Sequence, residues 1–465
     1  MKFLALILSL TLLVITHELG HLGFAKLFHT RVRRFYLFFN PKISLFKAKK
    51  FGGKWHFLFF NSTTPESWDE KNLAPEDQDN TLWGIGWLPL GGYCDIAGMI
   101  DESTSAKDLS AEPQPWEYRT KPAWQRLCII CGGVLVNFVS ALLIYTCIFA
   151  HWGQDTLPLR NAGMGYAYNE ILLDEGFRDG DVIWSINGEE MTDFTQTTTA
   201  LLLGNPSTVV VKRDSQFDTL YLSGKLMARI NKEQPKNLMT VRFPMVIKDF
   251  TAGSAAQKAG LMVDDSLVSV AGISTPVSTD IMALLPDYAH KTIVVGLYRQ
   301  GSYMEIPVTL GGNAKLGVMM KSYNEIYPIV HTDYNFLQAI PAGIKYGCET
   351  LVTYVGSLKL LFSEGGAQNL GGFGTLGSIF PREWDWQQFW NITAFLAVVL
   401  AFMNIIPIPG LDGGHIMFTL WEIVTRRKPS DKFLSHAQTV GMAILIALLV
   451  WANGNDLIRW LGGKF

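Results

Sequence analysis

The chain has 465 residues, 48% hydrophobic and only 17% charged, with 39 basic and 41 acidic side chains giving a formal charge of −2. That length suits about three domains; the low charge excludes long disordered tails, and the even balance excludes a global basic field for nucleic acid. Five cysteines over this length exclude a small disulfide scaffold.

Met1-Lys2 followed by the apolar run 3–15 is patterned like a secretory signal peptide. No small-x-small cleavage site follows, and the run continues through Thr16-His17-Glu18-Leu19-Gly20-His21 to Phe28. Residues 3–26 therefore read as one retained helix. A Glu and two His at membrane depth are costly, which marks this helix as functional. Three further windows, 127–150, 387–411 and 437–453, contain no charged residue. A bilayer core of about 30 Å needs about 20 apolar helical residues, so four spans are expected. Trp451 and Trp460 sit near the end of the last, where interface aromatics lie.

Basic residues crowd two connections: Lys26, Arg31, Arg33, Arg34, Lys42, Lys47, Lys49, Lys50 and Lys54 after the first span, and Arg426, Arg427, Lys428 and Lys432 after the third. The positive-inside rule makes both cytoplasmic and puts 151–386 on the other side. Gly91-Gly92-Tyr93-Cys94 follows the apolar stretch 82–90, a pattern for a β hairpin or a close backbone approach.

The long insertion contains a repeat. Gly176, Asp181, Ser185 and Gly188 match Gly260, Asp265, Ser269 and Gly272 at a spacing of 84 residues, and Thr208-Val209-Val210-Val211 matches Thr292-Ile293-Val294-Val295 at the same spacing. Two tandem copies of one small module are expected. The segment 336–362 has helical periodicity (Leu337, Ile340, Ile344, Leu351, Val355, Leu358, Leu361) and suits an amphipathic helix on the outer membrane surface or on the modules. Gly365-Gly366 and Gly371-Gly372-Phe373-Gly374 then make a glycine-rich re-entry.

The expected organisation is a first transmembrane helix (1–30), a cytoplasmic-side loop with a membrane-associated β hairpin (31–121), a second transmembrane helix (122–150), two modules (151–240 and 241–330), the amphipathic helix and re-entry (331–386), a third transmembrane helix (387–411), a cytoplasmic loop (412–435), and a fourth helix with its tail (436–465).

The sharpest chemical signal is His17-Glu18-Leu19-Gly20-His21. On a helix, i and i+4 share a face, so both imidazoles can bind one metal ion. Zn²⁺ accepts imidazole well, and three protein ligands plus water is its open catalytic arrangement. Glu18 would not ligate; it would take the proton from the attacking water. Candidates for the third ligand lie in Asn404-Ile405-Ile406-Pro407-Ile408-Pro409-Gly410-Leu411-Asp412-Gly413-Gly414-His415. Two prolines break the helix there, as backbone does where it lines a cavity. Asp412 follows the uncharged window and needs a partner; His415 competes with it as ligand, and Asn404 is a candidate for the oxyanion. Asn137 and Thr16 are further polar groups for a cavity. The Cys128-x-x-Cys131 pair has no second pair nearby and reads as helix packing.

Glu175-Gly176-Phe177-Arg178-Asp179-Gly180-Asp181-Val182-Ile183-Trp184-Ser185-Ile186-Asn187-Gly188 resembles a PDZ-domain segment. The second copy departs from it with Asp264 for the glycine and Ala271 for the asparagine. The whole combination resembles the site-2 protease family, in its bacterial regulator-of-sigma-E protease branch. The fold so implied is a multi-pass α-helical membrane protein with a cytoplasmic-side membrane-associated β loop and two extracytoplasmic α+β PDZ-like domains. The resemblance implies a zinc endopeptidase of the bacterial inner membrane, acting within or beside the transmembrane helices of substrates such as anti-sigma factors and remnant signal peptides. It places Zn²⁺ on His17, His21 and Asp412, the general base on Glu18, and assistance to the transition state on Asn404. Gly91, Gly92 and Tyr93 would hold an unwound substrate by strand addition. The rival readings are a non-catalytic membrane scaffold binding peptide termini through PDZ grooves, and a metal transporter.

Overall fold

A computed structural model describes residues 1–69, 72–89, 91–99, 112–204, 206–233, 235, 237–251, 253–358, 371–381 and 383–461. Leu90, Leu361 and the Gly365-Gly366 part of the expected re-entry lie outside the described residues. The chain forms two compact units, one from Met1–Gly153, Asp333–Leu361 and Ala367–Phe465, the other from Gln154–Thr332.

The first unit opens with α1 (Lys2–Leu27), uninterrupted from the apolar run through the two histidines. The β region is larger than a hairpin. β1 (Val32–Leu37), β2 (Phe39–Phe51), β3 (Lys54–Asn61), β4 (Leu82–Leu88) and β5 (Tyr93–Ile96) form one sheet in the order β3-β2-β4-β1-β5. The 13-residue β2 is long enough to pair with both β3 and β4, and β1 runs parallel to β4, so distant segments join one layer. β5 closes this order as an outer strand. α2 (Ala123–Trp152) follows, 30 residues or about 45 Å long.

In the second unit β6 (Gln154–Thr156) precedes a first copy: β7 (Tyr166–Tyr168), α3 (Glu170–Asp174), β8 (Val182–Ile186), β9 (Glu189–Glu190), α4 (Phe194–Leu203), β10 (Thr208–Arg213), β11 (Gln216–Tyr221), α5 (Leu226–Glu233) and β12 (Met239–Val241). The second copy runs β13 (Met245–Phe250), α6 (Ala255–Lys258), β14 (Ser266–Val270), β15 (Ile273–Ser274), α7 (Ser278–Leu284), β16 (Thr292–Arg299), β17 (Ser302–Thr309) and β18 (Val318–Met320). After α8 (Tyr323–Ile326), β19 (Val330–Thr332) pairs back with β6. Each copy has its own apolar core, around Tyr166, Phe177, Ile183 and Val211 in one and Ile247, Leu267, Val295 and Leu297 in the other.

The copies share an internal clamp. Arg213 donates from Nε and Nη2 to Asp181 (2.8 and 2.7 Å) and from Nη2 to the Gly176 carbonyl (2.9 Å). Arg299 makes the same three bonds to Asp265 (2.7 and 2.6 Å) and the Gly260 carbonyl (3.0 Å). Burial alone would raise the Asp265 carboxyl, but the Arg299 guanidinium and the Met262 amide outweigh it and hold it below the usual carboxylate range. The clamp corrects the repeat alignment. Val211 pairs with Ile183, while Leu297, not Val295, pairs with Leu267, so β10 and β16 correspond at 86 residues, as Arg213 does to Arg299. A slip of two keeps every side chain on its face, so the ungapped match looked convincing.

The chain then returns to the first unit through α9 (Phe336–Ser357), α10 (Phe373–Ser378), α11 (Trp386–Ile405), α12 (Asp412–Thr425) and α13 (Asp431–Leu461). Of the periodic apolar residues, Leu337, Ile340, Ile344 and Val355 lie on the outward face of α9, with Leu337 77% exposed, whereas Leu351 packs on the core. The inward face of α9 is the small series Ala339, Gly343 and Gly347, which lies against Thr146 and Leu142 of α2. The segment expected as loop after Asp412 is α12, a 14-residue helix ended by Arg426 in a left-handed conformation. Among the described residues, four helices are long and apolar enough to cross a membrane: α1, α2, α11 and Lys432–Ile458 within α13. Leu6, Leu13, Ala141, Ile148, Phe389 and Val398 form part of a core shared by α1, α2 and α11, and buried Thr393 donates to Ser9 across α11 and α1 at 3.0 Å.

Candidate metal centre

α1 and α2 touch where neither has a side chain. A Cβ on Gly20 would run into the Gly132 carbonyl, and one on Gly133 would lie 2.5 Å from His21 Nε2 and 2.7 Å from His17 Cε1. Glycine here lets α2 pass directly over the two histidines. Their rings sit one helical turn apart, with centroids 4.7 Å apart and Nε2 atoms 3.2 Å apart.

The third group arrives from the far end of the chain. α11 stops at Ile405, Pro407 and Pro409 prevent its continuation, and Gly410 at φ +100° turns the backbone into α12, whose first residue is Asp412. A Cβ on Gly413 or Gly414 would strike the backbone of Ile406 or Pro409, which explains the glycine pair after the aspartate. Asp412 Oδ2 lies 3.1 Å from His17 Nε2 and 3.3 Å from His21 Nε2.

These three atoms make a nearly equilateral triangle with edges of 3.1, 3.2 and 3.3 Å. A tetrahedral ion with bonds of about 2.0–2.1 Å holds its ligand atoms about 3.3 Å apart. Asp412 Oδ2 is buried and no well-aligned hydrogen bond reaches it, an expensive state for a carboxylate without a cation. The residues present therefore fit zinc. Among the described residues, His17, His21 and Asp412 form the group of convergent ligand atoms. His415, the competing candidate, has a buried Nε2 without a hydrogen bond and is not in that group.

The remaining expected residues divide. Asn404 Nδ2 is 3.4 Å from His17 Nε2, at the edge of the triangle. Glu18 receives a hydrogen bond from the Cys94 backbone of β5, so that strand anchors the carboxylate beside the site. Gly91, Gly92 and Tyr93 contact other groups. Gly91 lies against Phe39, and Gly92 against the Tyr36 carbonyl and Val14 of α1. The Tyr93 ring stacks on Tyr36 at 5.1 Å, and its hydroxyl donates to Asn40 at 3.2 Å. Three supports were not apparent from the sequence. His21 Nδ1 donates to the Ile129 carbonyl at 2.9 Å, leaving Nε2 bare toward Asp412. Gly133 makes the room, for which the glycine pair in an apolar helix was the available signal. Arg126 donates to Glu422 at 2.5 Å, tying α12 to α2. Cys128 and Cys131 are both free thiols.

Residues 5–62 and 70–448 match peptidase family M50. A protein of Ralstonia nicotianae named as a candidate zinc metalloprotease is 24% identical over 98% of both chains. The regulator of sigma-E protease RseP of Escherichia coli is 24% identical over 97% of both. A Thermotoga maritima protein, also named as a candidate zinc metalloprotease, is 23% identical over 98% of this chain and 99% of its own. Since the match runs through α1, the β-rich insertion and the Asp412 turn alike, the chain belongs to peptidase family M50, the site-2 proteases, and is a zinc metalloendopeptidase with membrane-spanning helices.

Proposed function

We propose that this enzyme hydrolyses peptide bonds in or beside the transmembrane segments of single-span proteins, with zinc on His17, His21 and Asp412. The observation that carries the proposal is the triangle of donor atoms brought together from α1 and the start of α12. Its position on a helix of otherwise apolar character supports a reaction at membrane depth. Bound zinc supplies Lewis acidity, which activates water and polarises a peptide carbonyl. Glu18 takes a proton from the attacking water and returns it to the leaving amine. Asn404, at the edge of the triangle, donates to the oxyanion as charge develops.

A helical substrate hides its carbonyls in i→i+4 bonds and must unwind before attack. The outer strand β5, beginning at Tyr93 just after Gly91-Gly92, offers an edge for the unwound segment, a reading supported by the contact between the Cys94 backbone and Glu18. The two modules are PDZ-like and extracytoplasmic, a reading supported by their common clamp and by the basic residues at the opposite membrane exits. The name of the Escherichia coli relative supports anti-sigma factors as substrates, with remnant signal peptides as a second class, in a bacterial inner membrane.

The test is cleavage of a single-span substrate by the full chain in detergent. Glu18→Gln is expected to abolish cleavage while keeping zinc, and Asp412→Ala to lower zinc stoichiometry. Chelation is expected to stop cleavage and added Zn²⁺ to restore it. Unchanged cleavage by Glu18→Gln would overturn the assignment.

A further inference from the structure

We propose that Asn137 is a positioning residue for His17: its carboxamide oxygen accepts the Nδ1–H of that ring and thereby turns a bare Nε2 toward Asp412. The inference rests on the reading of His17, His21 and Asp412 as zinc ligands.

Asn137 lies on α2, fully buried, at 0% exposure. A buried carboxamide needs partners for both its ends. One end faces Thr16 of α1, whose Oγ1 is 2.8 Å away; the other faces His17 Nδ1 at 3.4 Å. With the amide nitrogen toward His17, the Thr16 hydroxyl donates to the amide oxygen, and the Leu12 and Leu13 carbonyls, 3.1 and 3.0 Å from that hydroxyl, keep their helical amide partners. An amide N–H aimed at Nδ1, however, requires that nitrogen to be bare. The ring proton would then sit on Nε2, inside the donor triangle.

A half-turn of the carboxamide exchanges two atoms of equal size and removes this conflict. The amide N–H donates to Thr16 Oγ1, the Thr16 proton goes to the α1 carbonyls, and the amide oxygen accepts from Nδ1–H. His21 already shows this pattern, donating from Nδ1 to the Ile129 carbonyl at 2.9 Å. Both imidazoles are thus oriented by one helix, α2, through a backbone carbonyl for one and a side-chain amide for the other. Such outer partners of ligating histidines fix the tautomer and are worth about 10–100-fold in metal affinity.

The experiment compares zinc affinity, by chelator competition, in full-length wild type, Asn137→Leu, Asn137→Asp and His17→Ala in detergent. Leucine removes the acceptor at similar volume and is expected to weaken zinc binding about 10–100-fold. Aspartate keeps an acceptor and is expected to retain or tighten it. Unchanged affinity in Asn137→Leu, or equal losses in both Asn137 variants, overturns the proposal. A purely interhelical role would lower the thermal midpoint of the metal-free protein in both variants and leave zinc affinity alone. Wild-type affinity in His17→Ala would instead remove the zinc assignment, and this proposal with it. A measurement that needs no variant is ¹⁵N NMR of histidine-labelled wild type: a protonated His17 Nδ1 is expected, and a bare one refutes the proposal.

Discussion

Gly133→Ala is the most economical perturbation of the site, because it adds one methyl group and removes nothing. The new Cβ would lie 2.5 Å from His21 Nε2, against an ordinary contact of at least 3.4 Å, so a ring or a whole helix must yield by about 0.9 Å. Catalytic constellations tolerate about 0.5 Å, and a misplacement of about 1 Å costs about 100-fold in rate. Stability should respond differently. Alanine is favoured over glycine in a helix by about 1 kcal/mol, while overpacking costs about 1–3 kcal/mol. The two nearly offset, so the metal-free protein should keep its thermal midpoint within a few degrees. The expected result is a fold that survives with zinc affinity down at least tenfold and cleavage down about 100-fold. Gly23→Ala is the control: nothing lies within 4 Å of its added Cβ, and it should leave zinc binding unchanged. Chelator competition and cleavage of a single-span substrate measure both. Wild-type zinc affinity and turnover in Gly133→Ala would refute the close passage of α2 over the histidines.

Arg299→Leu strands the fully buried Asp265 carboxylate and should cost about 3–5 kcal/mol at neutral pH. In wild type the depressed Asp265 pKa contributes stability above about pH 4, lost as pH falls through the folded value. In the variant burial dominates and the sign reverses, so the deficit should shrink on acidification; a parallel pH profile by thermal melting would contradict this. Ala271 holds φ +51° where the first copy has Asn187, and Ala271→Gly should stabilise the β14–β15 turn by about 0.5–1 kcal/mol, read as slower hydrogen exchange of that hairpin in the full chain. Asp456 of α13 accepts from the Gly372 and Thr375 amides, both at 3.0 Å, and from the Thr375 hydroxyl at 2.5 Å. Asp456→Ala should speed exchange of those amides by the loss of a cap worth about 1 kcal/mol, and unchanged exchange would show that α10 holds itself.

What could be read from the sequence was what depends on near neighbours. The two histidines share a helical face because they are four residues apart, and three of the four candidate spans announce themselves by windows without charge. Partners set by long-range pairing were not legible. Nothing in 31–121 by itself says that β1 pairs in parallel with β4, or that β2 bridges two neighbours to make a five-stranded layer. Gly413-Gly414 reads as loop by propensity, yet opens α12, because only glycine fits against the Ile406 and Pro409 backbone. In α9 the apolar period marks an outward face, while the contact with α2 is made by the small residues Gly343 and Gly347, which carry no hydrophobic signal. The choice between Asp412 and His415 stayed open for the same reason: three residues apart, they differ in direction, and direction comes only from the turn at Gly410.

Asn404 and His17 stand 387 residues apart in the chain yet within 3.4 Å in space. At about 5–20 residues per second, the ribosome makes the second some 20–80 s after the first. During that interval the nascent chain carries its histidine pair without the carboxylate that lies beside it in the folded protein. On the assignment proposed above, a chain cut short of Asp412 is inert, and proteolytic power arrives only after that residue has been made.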